Sequence, residues 1–386
     1  MEKKKVLMLA SVASMIGQFN MPNIRILLDM GYEVHVACNF KEGNTCSRQQ
    51  VYRIHRMLRQ MHVMCHQWDC PRNILPVTKC FTAYGQLMKL TGRYHFSWLH
   101  CHSPIGSALA RAAAHRRGIR VIYTAHGFHF YQGAPLFHWM LYYPAEKLLA
   151  RWTDVLLTVN QEDYRLAVQK MKARKTAYIP GVGIDVSSLQ KQTFTERAVF
   201  RKKYQIPENA VILLSVGELS RRKNHQMVIS ALSGMSEKEV HYLICGKGRL
   251  KKALLQKARS CGVSKQVHIL GFQENVADFY YNADIFVFPS RQEGLPAALM
   301  EAMACGLPCI VSDIRGNREL ITEGRKDCGG ICFPLRRPGK LRYALELLLE
   351  NPKLRYEYGR YNKKKVQEYS LQVVSRRMKK IYSMMG

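Results

Sequence analysis

Short apolar runs alternate with stretches of helical periodicity along most of this chain, the pattern of parallel strand–helix–strand units. Strands are predicted at Val6–Ala10, Val34–Cys38, Trp98–His102, Arg120–Thr124, Asp154–Val159 and Thr176–Ile179. The last of these runs into Pro180-Gly181-Val182-Gly183-Ile184-Asp185, the clearest domain boundary. A second set follows at Val211–Gly217, His241–Gly246, Val267–Gly271, Asp284–Phe288 and Pro308–Ser312. The pattern predicts an α/β fold of two tandem Rossmann-like, doubly wound domains, 1–185 and 186–366. An amphipathic helix from Ser370 to Tyr382 dominates the remaining segment, 367–386, and is expected to pack back on the first domain. A chain of 386 residues suits two such cores. Ligands of these folds bind outside the carboxyl ends of the strands, so a cleft between the two sheets is the expected site.

Several strand ends carry residues suited to a nucleotide. Asp284–Pro289 leads into Ser290-Arg291-Gln292-Glu293-Gly294-Leu295-Pro296-Ala297 and a helix that stops at Gly306. Two carboxylates, Glu293 and Glu301, flank the start of that helix. Its free N–H groups and positive dipole favour phosphate, whereas carboxylates suit sugar and ribose hydroxyls. Ser215-Val216-Gly217 meets a helix through Arg221-Arg222-Lys223, where glycine admits close backbone approach and the bases neutralise a diphosphate. Gly246 and Gly271-Phe272 mark two more strand ends, the second able to hold a base beside an aromatic ring. In the first domain Thr124-Ala125-His126-Gly127-Phe128-His129 follows a strand, and His102 closes another. A histidine there can hydrogen-bond a sugar hydroxyl or move a proton. His129 and His138 read as packing or acceptor-side residues, and Asp313 as a cap for the next helix.

Taken together, these segments resemble glycosyltransferase family 4, whose fold is GT-B, over essentially the whole chain. The most specific stretch is Pro289–Gly306 followed by Val311–Leu320. The resemblance implies transfer of a sugar from a nucleotide donor with retention of configuration, with no cofactor and no essential metal. It assigns Glu293 to the transferred sugar's hydroxyls, Glu301 to the ribose, and the Gly294–Ala297 backbone to sugar and phosphates. Lys223 matches the phosphate-binding lysine, Gly217 the glycine under the nucleotide, Gly271 with Phe272 the base-side turn, and His126 the donor-facing histidine. Where such families commonly place arginine after that glycine, this chain has Glu218. Diphosphate neutralisation then falls to Lys223 with Arg221 or Arg222. The loop Ser14–Phe19 carries a single glycine, Gly17, on the acceptor side, where the family often has two.

Ala-His-Gly-Phe-His-Phe at 125–130, Leu141–Lys147 and Pro180–Asp185 resemble bacterial capsule and exopolysaccharide enzymes in particular. That implies a UDP-sugar donor, an acceptor saccharide on a polyprenyl diphosphate, and work at the cytoplasmic face of the cell membrane. A UDP-sugar 2-epimerase of the same fold is the alternative within the class.

Charge sharpens this picture. Lys and Arg number 59 against 28 Asp and Glu, a net charge of +31. Residues 1–185 supply +14 and the remainder +17, so the charge is spread over both halves. Such a field favours anionic partners. No zinc finger, helix-turn-helix or aromatic single-strand platform supports nucleic acid, so an anionic membrane surface is the expected partner. No apolar run reaches a span. The basic-then-apolar start of the chain, Met1–Ile16, mimics a signal peptide but reads as the first strand of an α/β unit. The 12 cysteines read as reduced thiols. Cys305/Cys309 and Cys328/Cys332 have zinc-like spacing but flank turns or an apolar strand, and read as small buried hydrophobes.

Overall fold

A computed structural model describes residues 3–386 apart from 45, 73–76, 192–193, 236–238 and 322–327. The chain divides into two compact units, Met1–Val182 with Val374–Gly386, and Gly183–Val373.

The first unit is built on a parallel sheet of seven strands: β1 (Lys5–Val12), β2 (Glu33–Asn39), β3 (Met64–Gln67), β4 (Trp98–His102), β5 (Arg120–Ala125), β6 (Val155–Thr158) and β7 (Lys175–Tyr178). Their order is β3-β2-β1-β4-β5-β6-β7. The second unit holds β8 (Val211–Val216), β9 (Val240–Cys245), β10 (Val267–Gly271), β11 (Ile285–Phe288), β12 (Cys309–Ser312) and β13 (Gly330–Phe333), ordered β10-β9-β8-β11-β12-β13. Each sheet reverses direction of growth next to its first strand, between β1 and β4 and between β8 and β11. Such a reversal opens a crevice at the strands' carboxyl ends. Strands covered on both faces read as unbroken apolar runs, as Val6–Ala10 and Ile285–Phe288 do, every side chain buried.

Five helices position the residues of interest: α1 (Pro104–Arg117), α2 (Leu136–Ala150), α3 (Ala297–Ala304), α4 (Arg315–Ile321) and α5 (Leu371–Ser383). From Val374 on, α5 belongs to the first unit, where Tyr382 stacks on Trp98 at 5.3 Å. Residues 367–373 stay with the second unit instead of the tail. The cause is local: Leu371 N–H donates to the Ile184 carbonyl at 2.8 Å, and Ser370 bridges to Ile184.

Two strands escaped the sequence pattern. Met64–Gln67 is an edge strand with no fully buried side chain, and Gly330–Phe333 is short and glycine-led. Cys332 therefore lies in a strand, not beside a turn. The segment expected as a loop at Ser14–Phe19 is helical: Ala13–Met15 runs into a π-helical turn, Ile16–Asn20. Gly17 sits there against Ile54, whose Cδ1 would lie 2.4 Å from a Cβ at that position. Its lack of a side chain lets that helical turn pack closely against the helix Arg48–Gln60.

Candidate active site

In the second unit the loops after β8 and β11 are stitched together at the switch point. Arg291 N–H donates to the Arg222 carbonyl at 2.8 Å, and Asn224 Nδ2 to the Pro289 carbonyl at 3.2 Å. Asn224 takes φ +57°, a left-handed conformation that asparagine tolerates better than most residues. This join places Lys223 Nζ 2.8 Å from Glu293 Oε1, which Arg222 also reaches at 2.8 Å. The Lys223 and Glu293 side chains are only 10% and 9% exposed, and Arg222 is 44% exposed. Lys223 also lies over the Phe288 ring, 4.4 Å from its centroid.

Burial pushes the Glu293 carboxyl up, but the Lys223 and Arg222 charges outweigh it and hold it below the ordinary value. Burial lowers the Lys223 ammonium, which Glu293 partly offsets. Two cations share one carboxylate, so the cluster keeps one positive charge in excess. Arg315, buried at the start of α4, donates to the Glu293 carbonyl at 3.2 Å and secures the turn from behind. Beside it, a Cβ on Gly316 would stand 2.1 Å from the Gly294 carbonyl oxygen, so only glycine admits this approach of α4 to Gly294-Leu295-Pro296. The N-cap of α3 is Pro296 and no side chain caps the helix. Ala297 and the Gly294 turn thus bring an uncapped helix N-terminus to the same switch point as Lys223.

Glu301, one turn into α3, accepts from the Tyr280 hydroxyl at 3.0 Å, and the Ala298 carbonyl is equally close to that oxygen. Burial raises the Glu301 carboxyl, partly countered by the Tyr280 hydrogen bond. The three strand-end glycines meet as backbone. Gly217 N–H donates to the Cys245 carbonyl at 2.9 Å and Gly246 N–H to the Gly271 carbonyl at 2.7 Å. A Cβ on Gly246 would lie 1.8 Å from the Gly217 oxygen, and Gly271 has φ +75°. Gly246 is therefore demanded by packing between strand ends. Phe272 is 48% exposed, with Lys247 5.8 Å from its ring centroid.

Arg222, and not Arg221, reaches the cluster. Arg221 is exposed and lines a separate surface cavity with Gln226, Leu250 and Arg291. Asp313 accepts from Arg318 at 2.7 Å. The sequence reading missed Tyr280 and Arg315. Tyr280 gave no signal, whereas Arg315-Gly316-Asn317 stood right after a strand, where a loop-bracing arginine is plausible.

In the first unit the switch point carries neutral groups. The Ser11 and Ser103 hydroxyls lie 2.7 Å apart, and Ser103 is held at φ +67°. His102 Nδ1 lies 3.1 Å from His126 Nε2, while His100 bridges the Tyr382 hydroxyl at 2.9 Å and Thr124 at 2.8 Å. The His100 and His102 ring centroids are 4.3 Å apart. Burial holds His100 down to about 3 and His126 to about 4, and pushes His102 well below its ordinary value. Among the described residues, buried His102 Nε2 finds no hydrogen-bond partner. An orphan acceptor is tolerated better than an orphan N–H, which puts the His102 proton on Nδ1, aimed at His126. His126 then carries its own proton on Nδ1, a donor suited to a hydroxyl oxygen. His129 stacks on Tyr142 at 4.7 Å and its carbonyl accepts from His138 Nδ1, so both pack the loop after β5 onto α2.

Family models match both units: "Glycosyl transferases group 1" over residues 196–365 and "Glycosyl transferase 4-like" over 5–160. "Putative glycosyltransferase EpsD" of Bacillus subtilis (strain 168) is 32% identical over 98% of this chain and 96% of its own length. The Escherichia coli UDP-Gal:alpha-D-GlcNAc-diphosphoundecaprenol alpha-1,3-galactosyltransferase is 28% identical over 61% of this chain and 62% of its own. Among solved structures, Anabaena Alr3699/HepE in complex with UDP and glucose superposes with a TM-score of 0.78 at 17% identity, covering 99% of this chain and 100% of that one. With two Rossmann-like units, matching models over both and a relative along its whole length, the chain belongs to the family 4 glycosyltransferases of GT-B fold.

Proposed function

We propose that the protein is a retaining glycosyltransferase that moves a hexose or N-acetylhexosamine from a UDP-sugar to a saccharide on a polyprenyl diphosphate. The product would enter a bacterial surface polysaccharide, with the enzyme peripheral to the inner face of the cell membrane. The observation that carries this reading is the Lys223–Glu293–Arg222 cluster at the second switch point. Its excess positive charge and the adjoining helix N-terminus suit a diphosphate, and Glu293 and Glu301 suit the hydroxyls on either side of it. Two similar proteins support the nucleotide and the acceptor: one is a UDP-Gal transferase to a diphosphoundecaprenol-linked sugar, and the other holds UDP and glucose.

Glu293 is tied to two cations, which weakens it as a nucleophile. Front-face displacement follows: the acceptor hydroxyl attacks as the diphosphate leaves, and the departing oxygen takes its proton. Lys223 and Arg222 stabilise the charge that grows on that leaving group, so the reaction needs neither metal nor cofactor. His126 donates to a donor-sugar hydroxyl.

The test is a panel of UDP-sugars with and without a lipid-diphosphate saccharide, following UDP release and the anomeric configuration of the product by NMR. Acceptor-dependent UDP release with an α-linked product supports the reading. UDP formation without acceptor, with a 2-epimerised sugar, would replace it with epimerase chemistry. A β-linked product would refute retention, and activity lost on EDTA treatment would refute metal independence.

A further inference from the structure

Helix α2 is apolar on both faces, with Trp139, Tyr143 and Ala150 packed inward on the core of the first unit. Its inward face also carries the polar anchors: Glu146 Oε2 accepts from buried Arg111 at 2.9 Å, and Glu146 Oε1 from the Tyr123 hydroxyl at 3.3 Å. Trp139 Nε1 donates inward to the Tyr131 carbonyl at 3.2 Å, and Tyr142 stacks on His129. The outward face is apolar. Leu136 is 80% exposed, Phe137 64%, Met140 77%, Leu141 49% and Leu148 50%. Exposed Pro144 and Ala145 continue the same stripe at helical spacing. Single exposed apolar residues are ordinary, but a continuous stripe along four turns marks a docking surface.

Two further features name the occupant. From Val121 to Ala145 the chain has no charged residue at all, although 23% of the whole is charged. The charges resume on the outward face at the carboxyl end of α2, as exposed Lys147 and Arg151, in a protein of net charge +31. Apolar side chains flanked by basic ones on one helix face are the composition of a helix lying in the plane of an anionic bilayer surface. A stable protein interface would instead be expected to mix polar partners into its rim.

We propose that the outward face of α2 docks on anionic lipid, with Leu136, Phe137, Met140 and Leu141 in the acyl boundary and Lys147 and Arg151 at the headgroups. Because the inward face holds His129 and Tyr131, docking brings the loop after β5 to the lipid surface. This rests on the proposed membrane attachment and names its surface; α2 shares no residue with the Lys223–Glu293–Arg222 cluster, so vesicle binding and transferase chemistry are tested separately.

The experiment is co-sedimentation of the full chain with phosphatidylglycerol-containing and with pure phosphatidylcholine vesicles, for the wild type and for Phe137→Ser/Met140→Ser. Both positions are exposed, and circular dichroism with UDP binding checks that fold and donor site are intact. The wild type should bind the anionic vesicles, and the double variant should partition at least about tenfold less, since two apolar side chains lose their burial. Lys147→Ala/Arg151→Ala should remove the preference for anionic over neutral lipid. Equal binding by the wild type and the Ser variant would overturn the proposal, as would a wild type that ignores both vesicles. A dimer in sedimentation that the Ser variant turns into monomer would assign the face to a second copy, and overturn it too.

Discussion

At the switch point of the second sheet Lys223, Arg222 and Glu293 keep full charges within hydrogen-bonding distance, whereas at that of the first Ser11, Ser103, His102 and His126 offer neutral groups. Both sheets share one strand order around their first strand, so topology does not make the difference. What does is the presence of counter-ions. Lys223 and Glu293 can stay charged while buried because each faces the other. The histidines face only other histidines and hydroxyls, and burial keeps them neutral, each with a single N–H. Under the proposed function, one scaffold would seat a charged diphosphate at one switch point and hydroxyls at the other, according to what the loops bring to the strand ends.

The contrast can be broken in graded steps. Lys223→Ala should cost the most: kcat about 100-fold or more lower, with donor KM raised far less, because the lysine stabilises charge that appears on the leaving diphosphate. Steady-state kinetics with varied donor decide this, and equal loss in both constants would reduce Lys223 to a binding residue. His126→Ala should lower kcat by roughly tenfold through loss of one hydrogen bond to the donor sugar, since bonds to neutral groups act more weakly than charge pairs. Arg222→Ala should raise donor KM about tenfold while Arg221→Ala stays within about twofold, since only Arg222 reaches Glu293. Reversed effects of the two arginines would contradict the geometry.

The mildest step is pH. His100 and His126 are neutral when folded, with values of about 3 and about 4, but accept protons near 6.5 once unfolded. The unfolded state therefore binds more protons below pH 6.5, and stability falls as pH drops through the window from 6.5 towards 4. Each group contributes about 1.4 kcal/mol per pH unit. Hydrogen exchange at pH 7 and 5.5 should show a larger loss in the first unit, which holds His66, His100 and His126, than in the second, where His225 is held down to about 4. Equal loss in both units would contradict this.

Sequence patterning showed most of the fold because strands covered on both faces must be apolar throughout. It failed where that pressure lapses, at edge strand β3 and at glycine-led β13. Among the proposed site residues, the sequence offers those near strand ends as candidates: Gly217, Lys223 and Glu293 follow a strand or a turn, and Glu301 lies one turn into the helix after it. Tyr280, which holds Glu301, lies 21 positions earlier on another element and reads as one more aromatic in a buried helix. The choice between Arg221 and Arg222 was illegible because neighbours in a turn point in directions that only the fold sets. Gly17 and Gly246 show the converse: a glycine in a promising place can be there for packing.

The central claim is that the charged switch point of the second unit is the diphosphate seat. Calorimetric titration of the wild-type protein with UDP and with uridine tests it most directly. UDP should bind at least about 100-fold more tightly than uridine, the equivalent of about 2.7 kcal/mol carried by the diphosphate. Arg222→Ala should narrow that gap while leaving uridine binding unchanged. Equal affinity for UDP and uridine, or a gap untouched by Arg222→Ala, would contradict it.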